Sequence, residues 1–568
     1  MSPLQNVPPH LRRWVVTQDM SRYGEIDHAV WRFVAHQTYA VLEHSAHPAY
    51  RAGLSKTGIS LDQIPSISEM NGALAEFGWG AVAVDGFIAP RAFQEFQASR
   101  LLPIATEIRS AEHVGYTPAP DIIHEAAGHA PILSDPEYAQ FIERFGQLGR
   151  RAFRLPQDEA YADAVAALSC VREDAGSTDA EVSLAEARVE EAAAARTRLS
   201  EAARLSRLYW WTAEYGLVGR TDEYKIYGAG LLSSLGECHS CHAPAVTKRE
   251  LSLECWHVPY DITRPQPQLY VAQDFAQLSA ILAEAYGQLA YQQGELTALL
   301  AAVNSGEVCD IELSGGAHLA GNISEGAGTA EGTWLCWDRC VIWDGQGWSE
   351  HDAYQVAFGQ LATGKPAISA GAGCPGERLE LQYKNGARVR GRRARHDSPS
   401  GCLRLTDATV TAPDGTSRQH WELLWPLARC IVTASPGWPK NMNRRPTAYP
   451  ERVVPKLRVV GPSNLRLNTL FREAHLAWEA RRSEDCRVTF ERIHRELRRD
   501  FPDEWLLRMN LLECWAKLGR HEHAAPLAYE LKQLEVRHEF QQPIYTGLRY
   551  LARRYQLFVS LSESTQCA

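Results

Sequence analysis

The sequence predicts a multidomain chain: a mainly α-helical first region, then an all-β small domain, then an α-helical tail. Three observations carry this. Apolar and aromatic residues recur at helical spacing through most of residues 1–305, as in HAVWRFVAHQTYAVLEHSAHPAYRAGL. Over 308–435 glycine becomes frequent, and TWLCWDRCVIW, RLELQY and LRLTDATVTA read as strands punctuated by DG and NG turn pairs. After a Pro- and Arg-rich linker at 436–462, helical patterning returns over 463–568. A length of 568 residues also exceeds one ordinary domain.

Within the first region, GWGAVAVDGFIAPRAF predicts a strand, a turn and a helix. Residues 157–208 are rich in Ala, Glu and Arg and predict an inserted helical hairpin that turns near Gly176. The rest, 209–300, reads as mostly helix, with PQPQLYVAQDF extended. The 308–435 region suits a small barrel or sandwich. In the tail, Trp478 and Trp515 fall at corresponding points of two helical stretches, which suits tetratricopeptide-like pairs or a plain helical bundle.

Composition narrows the function. A net charge of −9 argues against a nucleic-acid binder, and the basic cluster KNMNRRPTAYPERVVPKLRVV reads as a solvated linker. MSPLQNVPPHLRRWVVTQDM has no apolar signal core, and no run reaches the length of a membrane span. No membrane partner and a cytoplasmic location are therefore expected. Thirteen cysteines, an odd number spread thinly, read as reduced thiols.

The chemistry concentrates in YTPAPDIIHEAAGHAPILSD. His124 and His129 are five apart, with Glu125 after the first, one residue too many for the zinc-protease HExxH. An α-helix turns about 100° per residue, so positions i and i+5 diverge by roughly 140°. Both histidines reach one metal only if the helix ends or distorts between them; Gly128 permits a break and Pro131 opposes continuation. The best third ligand is Glu214 in LYWWTAEYGLVG, apolar surroundings where an unpaired carboxylate is costly; a buried ion pair would also satisfy it. Two histidines and one carboxylate are the donor set of non-haem Fe(II) oxygenases, whereas zinc more often takes a fourth protein ligand or a hydrolytic water. A metal-dependent hydrolase with Glu125 as base is the rival. CHSCH, Cys238 to His242, matches the c-type haem attachment motif and leaves open a structural metal at Cys238 and Cys241.

The blocks YTPAPDIIHEAAGHAPILSDPEYAQF, LYWWTAEYGLVG and YGAGLLSSLGE occur in the order, and largely the spacing, of the tetrahydropterin-dependent aromatic amino-acid hydroxylases. VDGFIAPRAF and DITRPQPQLYVAQDF are similar to that family too. The resemblance covers residues 60–290, interrupted by the hairpin. It implies a mainly α catalytic domain of that family's type over 1–305. The implied activity is a monooxygenase that uses Fe(II), tetrahydrobiopterin or a related tetrahydropterin, and O2 to hydroxylate the ring of a free aromatic amino acid. It further implies His124, His129 and Glu214 as iron ligands, with Glu214 and Tyr209 at the centre of catalysis. Phe93 would stack on the pterin, Gly86, Phe87 and Ile88 would hold its edge, and Glu125 and Tyr209 would face it. Arg109, ahead of Asp121, matches the arginine that receives the amino-acid carboxylate, a task suited to a bidentate guanidinium. Thr117, Asp121, Trp210, Gly230, Ser233 and Ser234 complete the implied substrate site.

Trp210 matches the tryptophan of the phenylalanine and tyrosine enzymes, and Ile262 the apolar residue of the phenylalanine enzymes. Conversion of L-phenylalanine to L-tyrosine is thus expected, with tyrosine or tryptophan hydroxylation the alternatives. The chain departs from the family in its long hairpin and in Ala119, which replaces a glutamate. No regulatory domain of the animal type precedes residue 60, so substrate activation through one is not expected. A β-rich region and a helical tail stand in place of a tetramerisation helix, a layout similar to long bacterial forms. If the tail is a tetratricopeptide-like module, it is expected to recruit a protein partner or support self-association and to be removable without loss of activity.

Overall fold

A computed structural model describes residues 7–86, 88–115, 120–173, 176–262, 265–313, 317–329, 332–343, 347–359, 362, 374–394, 403–425, 430–434, 462–480, 483–537 and 541–555. Phe87, Thr117, Ala119 and nearly all of the 436–462 linker lie outside the described residues.

The helix Glu25–Ser45 forms the spine of the first region because its apolar residues fall on one broad face: Ile26, Val30, Trp31, Phe33, Val34 and Leu42 are all buried. The predicted strand-turn-helix is β1 (Gly80–Val84), a turn at Gly86 with φ of 61°, and the helix Pro90–Ala98. That helix crosses over to β2 (Leu101–Ala105), which pairs with β1 in parallel. Every residue of both strands is buried, which is why they read as continuous apolar runs.

The histidine segment corrects the expected break. Ile123–His129 is a continuous π-helix that runs directly into the short helix Ala130–Ile132, with Pro131 at its second position. The π register closes i to i+5, so residues five apart stack without any interruption. Gly128 serves close packing instead. A Cβ there would lie 2.7 Å from the Ala229 carbonyl oxygen.

The inserted hairpin is Pro156–Glu173 and Asp179–Ala195, the second helix started by a Thr178–Glu181 capping box close to the predicted turn. The expected boundary at 208 runs too far. Glu201–Tyr209 is a separate helix, capped by Ser200, that continues into a second π-helix, Trp210–Glu214.

Residues 209–300 hold more strand than predicted. β3 (Leu217–Arg220), β4 (Glu223–Ile226), β5 (Thr247–Glu250) and β6 (Gln268–Ala272) form one sheet in the order β4-β3-β6-β5. Three of these are four residues long and partly exposed, too short for strand and helix periods to separate.

The β-rich region begins with β7 (Val308–Leu313), β8 (His318–Thr329), β9 (Gly332–Trp343) and β10 (Trp348–Gly359). It continues with β11 (Arg378–Gln382), β12 (Arg388–Arg393), β13 (Leu403–Thr411), β14 (Ser417–Trp425) and β15 (Cys430–Ala434). They make a five-stranded sheet, β10-β9-β8-β7-β15, and a four-stranded sheet, β11-β12-β13-β14. Leu319, Leu335, Trp337 and Tyr354 of the first sheet share one core with Val389, Leu405 and Val410 of the second.

Among the described residues the tail holds five helices, Pro462–Glu479, Ser483–Asp500, Leu506–Lys517, His521–Arg537 and Gln541–Tyr555. Trp478 and Trp515 do fall near the ends of the first and third. The tail's core is continuous with that of the catalytic region: Leu470, Phe490, Leu512 and Leu548 belong to the same buried cluster as Trp31 and Val34. The Trp505 and Phe33 rings meet edge-on at 5.0 Å, and Asn468 Oδ1 accepts the Ile26 N–H at 3.1 Å. No helix among the described residues is long and apolar enough to cross a membrane.

Candidate metal centre

The two π-helices bring the three expected ligands together. The Glu214 carboxylate lies between the histidines, Oε1 3.1 Å from His129 Nε2 and Oε2 3.3 Å from His124 Nε2. All three ligating atoms fall within 4.8 Å of one another, the sole such cluster of His, Cys, Asp and Glu among the described residues. The imidazole rings are perpendicular, with centroids 4.9 Å apart.

Neighbouring groups fix the ligands' chemistry. Ser233 Oγ–H donates to the Ala229 carbonyl at 2.7 Å, so its lone pair faces His124 Nδ1 at 3.0 Å and accepts that N–H. That contact occupies Nδ1 and leaves Nε2 as the nitrogen of His124 that would bind a metal, in its deprotonated form. Burial works to raise the Glu214 carboxyl, but the charges and hydrogen bonds of His129 and His124 outweigh it and hold it well below the usual range. Two imidazole nitrogens and one ionised carboxylate suit Fe(II).

Asp121 ties this centre to Arg109. Arg109 Nε and Nη2 each donate to Asp121 at 2.8 Å, and both side chains are buried. Asp121 Oδ1 also accepts the His124 N–H at 3.0 Å, so one carboxylate anchors both the arginine and the start of the π-helix. Arg109 Nη1 reaches the Ser233 carbonyl at 3.3 Å. Asp121 and Ser233, expected in the substrate site, are thus engaged in holding Arg109 and His124.

On the other side stand the residues expected at the pterin. The half-buried Phe93 ring lies 6.3 Å from the His129 ring and 6.2 Å from that of Tyr209. Tyr209 OH accepts from Gln97 Nε2 at 2.6 Å. Burial pushes the Glu125 carboxyl up to about 8, and its Oε2 has no hydrogen-bond partner among the described residues. Ile88 packs partly buried beside β1. Gly86 N–H donates to Glu107 Oε1 at 2.9 Å, and burial pushes Glu107 up to about 7. The sequence reading missed Glu107, because only its long-range contact with Gly86 reveals it.

The aromatic wall is preassembled. Trp210 is stacked between Tyr260, at 4.2 Å, and Tyr215, at 4.5 Å. Neither tyrosine was singled out from sequence. Gly230 lies where a Cβ would meet the Tyr215 ring at 2.9 Å. Ser234 Oγ caps the next helix by accepting the Glu237 N–H at 3.2 Å. Ile262 is half-buried. The CHSCH motif forms no metal cluster among the described residues. Cys238 and Cys241 are buried, their thiols donate to backbone carbonyls, and burial raises both, Cys241 to about 12.

The family profile of biopterin-dependent aromatic amino acid hydroxylases matches residues 17–152 and 192–291, the gap falling on the hairpin. Phenylalanine-4-hydroxylase of Vibrio cholerae is 31% identical over 48% of this chain and 83% of its own length. That of Pseudomonas aeruginosa is 30% identical over 46% and 84%. A crystal structure of Chromobacterium violaceum phenylalanine hydroxylase with bound Fe(III) covers 50% of this chain and 91% of its own, at 25% identity and a TM-score of 0.39. On the strength of these sequence matches, the chain belongs to the biopterin-dependent aromatic amino acid hydroxylases.

Proposed function

We propose that this protein hydroxylates the ring of free L-phenylalanine to give L-tyrosine, using Fe(II), a tetrahydropterin and O2. The observation that carries the reading is the convergence of His124, His129 and Glu214, in a chain whose family is pterin-dependent. Family membership sets aside the metal-hydrolase alternative.

When bound, the ferrous ion and the reduced pterin supply the electrons that activate O2. The chain's own residues bind, orient and exclude water. His124, His129 and Glu214 would hold the metal. The half-buried Phe93 offers a stacking surface for a pterin, and Glu125 Oε2, which makes no hydrogen bond among the described residues and lies 4.0 Å from His129 Nε2, offers it a polar contact. Arg109 receives the substrate carboxylate. A guanidinium has five N–H donors, and the side-chain bonds to Asp121 and Ser233 use three. The stacked Trp210 holds the substrate ring against a rigid apolar wall, and Ile262 offers no partner for a ring hydroxyl, which favours phenylalanine over tyrosine.

The test is anaerobic loading with Fe(II), metal analysis, and then tyrosine formation on adding tetrahydropterin and air. Product should require both additions. His124→Ala and Glu214→Ala should lose stoichiometric iron and turnover together. Full iron occupancy in His124→Ala would overturn the ligand assignment.

A further inference from the structure

The matched residues end at 291, so the β-rich region lies outside the family match. It meets the catalytic region at Glu307, the residue before β7. Glu307 Oε2 accepts from Arg91 Nη2 and from the Arg154 backbone N–H, each at 3.1 Å. The pair is buried, with side-chain exposures of 4% and 11%.

Arg91 lies on the helix Pro90–Ala98, two residues before Phe93. Two residues are about 200° of helical rotation, so the two side chains leave opposite faces. Phe93 faces the metal centre and Arg91 faces the β-rich region. Glu95, one helical turn after Arg91, shares the rear face and pairs with His10 of the N-terminal segment. Between them, Gln94 meets Arg154 Nη2 at 3.5 Å. The helix that carries Phe93 is therefore gripped from behind by residues that lie far apart in sequence, and its first turn follows directly on the backbone at Gly86 and Ile88.

We propose that Glu307 is a positioning residue for the pterin, through which the β-rich region sets the pose of Phe93 and of the turn before it. This rests on the reading of Phe93 as the pterin's stacking partner. Removing the charge at 307 leaves the Arg91 guanidinium buried with less compensation, and a buried cation relaxes by moving toward water. Arg91 is 3% exposed, so a path to water takes displacement of what packs around it, the helix that carries Phe93 included.

The experiment uses the full chain, loaded anaerobically with Fe(II), titrated with 7,8-dihydrobiopterin as an unreactive probe by isothermal calorimetry. Glu307→Gln should weaken pterin binding roughly tenfold, the scale of a coupled contact. Phenylalanine affinity and iron content should change little, while Tm should fall because the buried Arg91 loses its counter-charge. Glu307→Asp, which keeps the charge, should restore much of the loss. Adding Glu307→Gln to Arg91→Met should weaken binding no further. Unchanged pterin affinity in Glu307→Gln would overturn the inference, as would an equal loss for phenylalanine. If the unsubstituted protein bound no dihydropterin, the reading of Phe93 itself would fall and take the inference with it.

Discussion

Substituting Gly128 by alanine places one methyl group where the structure leaves no room for it. The new Cβ would sit 2.7 Å from the Ala229 carbonyl oxygen, 3.2 Å from the Ala229 Cβ and 3.3 Å from its carbonyl carbon. These atoms belong to backbone or to a rigid side chain, so one of the two helices must shift by roughly 0.5 Å to restore ordinary contact. The helix Ala229–Ser233 carries the hydroxyl that accepts from His124 Nδ1 and the carbonyl that accepts from Arg109. Overpacking of this kind costs about 1–3 kcal/mol. At about 2–4 °C per kcal/mol for a unit of this size, Tm should fall by roughly 3–10 °C. Loosening the group that orients a metal-binding histidine should cost about 10–100-fold in Fe(II) affinity. The assay is anaerobic competition for Fe(II) against a chelator, with thermal melts alongside. Gly72→Ala is the control, since nothing lies within 4 Å of its Cβ in the exposed face of the helix Ile67–Leu74. Wild-type iron affinity and Tm in Gly128→Ala would refute the idea that this close backbone contact sets His124.

Three further outcomes are expected. Arg109→Ala should raise the KM for phenylalanine more than that for pterin, and should also cost about 3–5 kcal/mol, because it strands the buried Asp121 carboxylate; a raised KM at unchanged Tm would contradict the paired role. Truncation before residue 462 should lower Tm sharply or abolish soluble expression, since it uncovers Phe33 and its neighbours on the helix Glu25–Ser45; a stable, fully active truncated chain would restore the view of the tail as a detachable module. Burial works to raise the Glu530 carboxyl, but His494, Arg498 and Arg508 outweigh it and hold it at about 2. A depressed carboxylate stabilises the fold above its unfolded value and loses that contribution as pH falls from 4.5 through about 2. With solvent screening the contribution is about 1–2 kcal/mol, so the stability gap between the protein and Glu530→Gln, read by urea melts, should narrow over that window. A gap independent of pH would contradict the pairing.

The candidate metal centre was legible because its sequence breaks a rule. A five-residue histidine spacing in a helical stretch demands some distortion, and co-linear blocks supply the third ligand. What form the distortion takes was not legible. Gly128 meets Ala229 across more than a hundred residues of chain, and no local pattern marks such a contact. Ser233 and Asp121 were assigned to substrate by resemblance, yet their hydrogen bonds go to His124 and Arg109. Glu107 and Glu307 went unnoticed for the same reason, since each acts on a residue distant in sequence. The long strands of the β-rich region were readable from their two-residue period, whereas β3, β4 and β5 were too short to show one. The tail's helices could be placed from their periodicity, but an apolar helix face does not name what will cover it. Here the cover is the helix Glu25–Ser45.

The most direct test of the account is the source of the product's oxygen. The protein loaded with Fe(II) is supplied with tetrahydropterin and isotopically labelled O2, with phenylalanine, tyrosine and tryptophan in separate reactions. The account predicts tyrosine from phenylalanine with the new hydroxyl oxygen carrying the label, and much slower turnover of the other two amino acids. No hydroxylated product from any of the three, or a product whose oxygen comes from water, would contradict it.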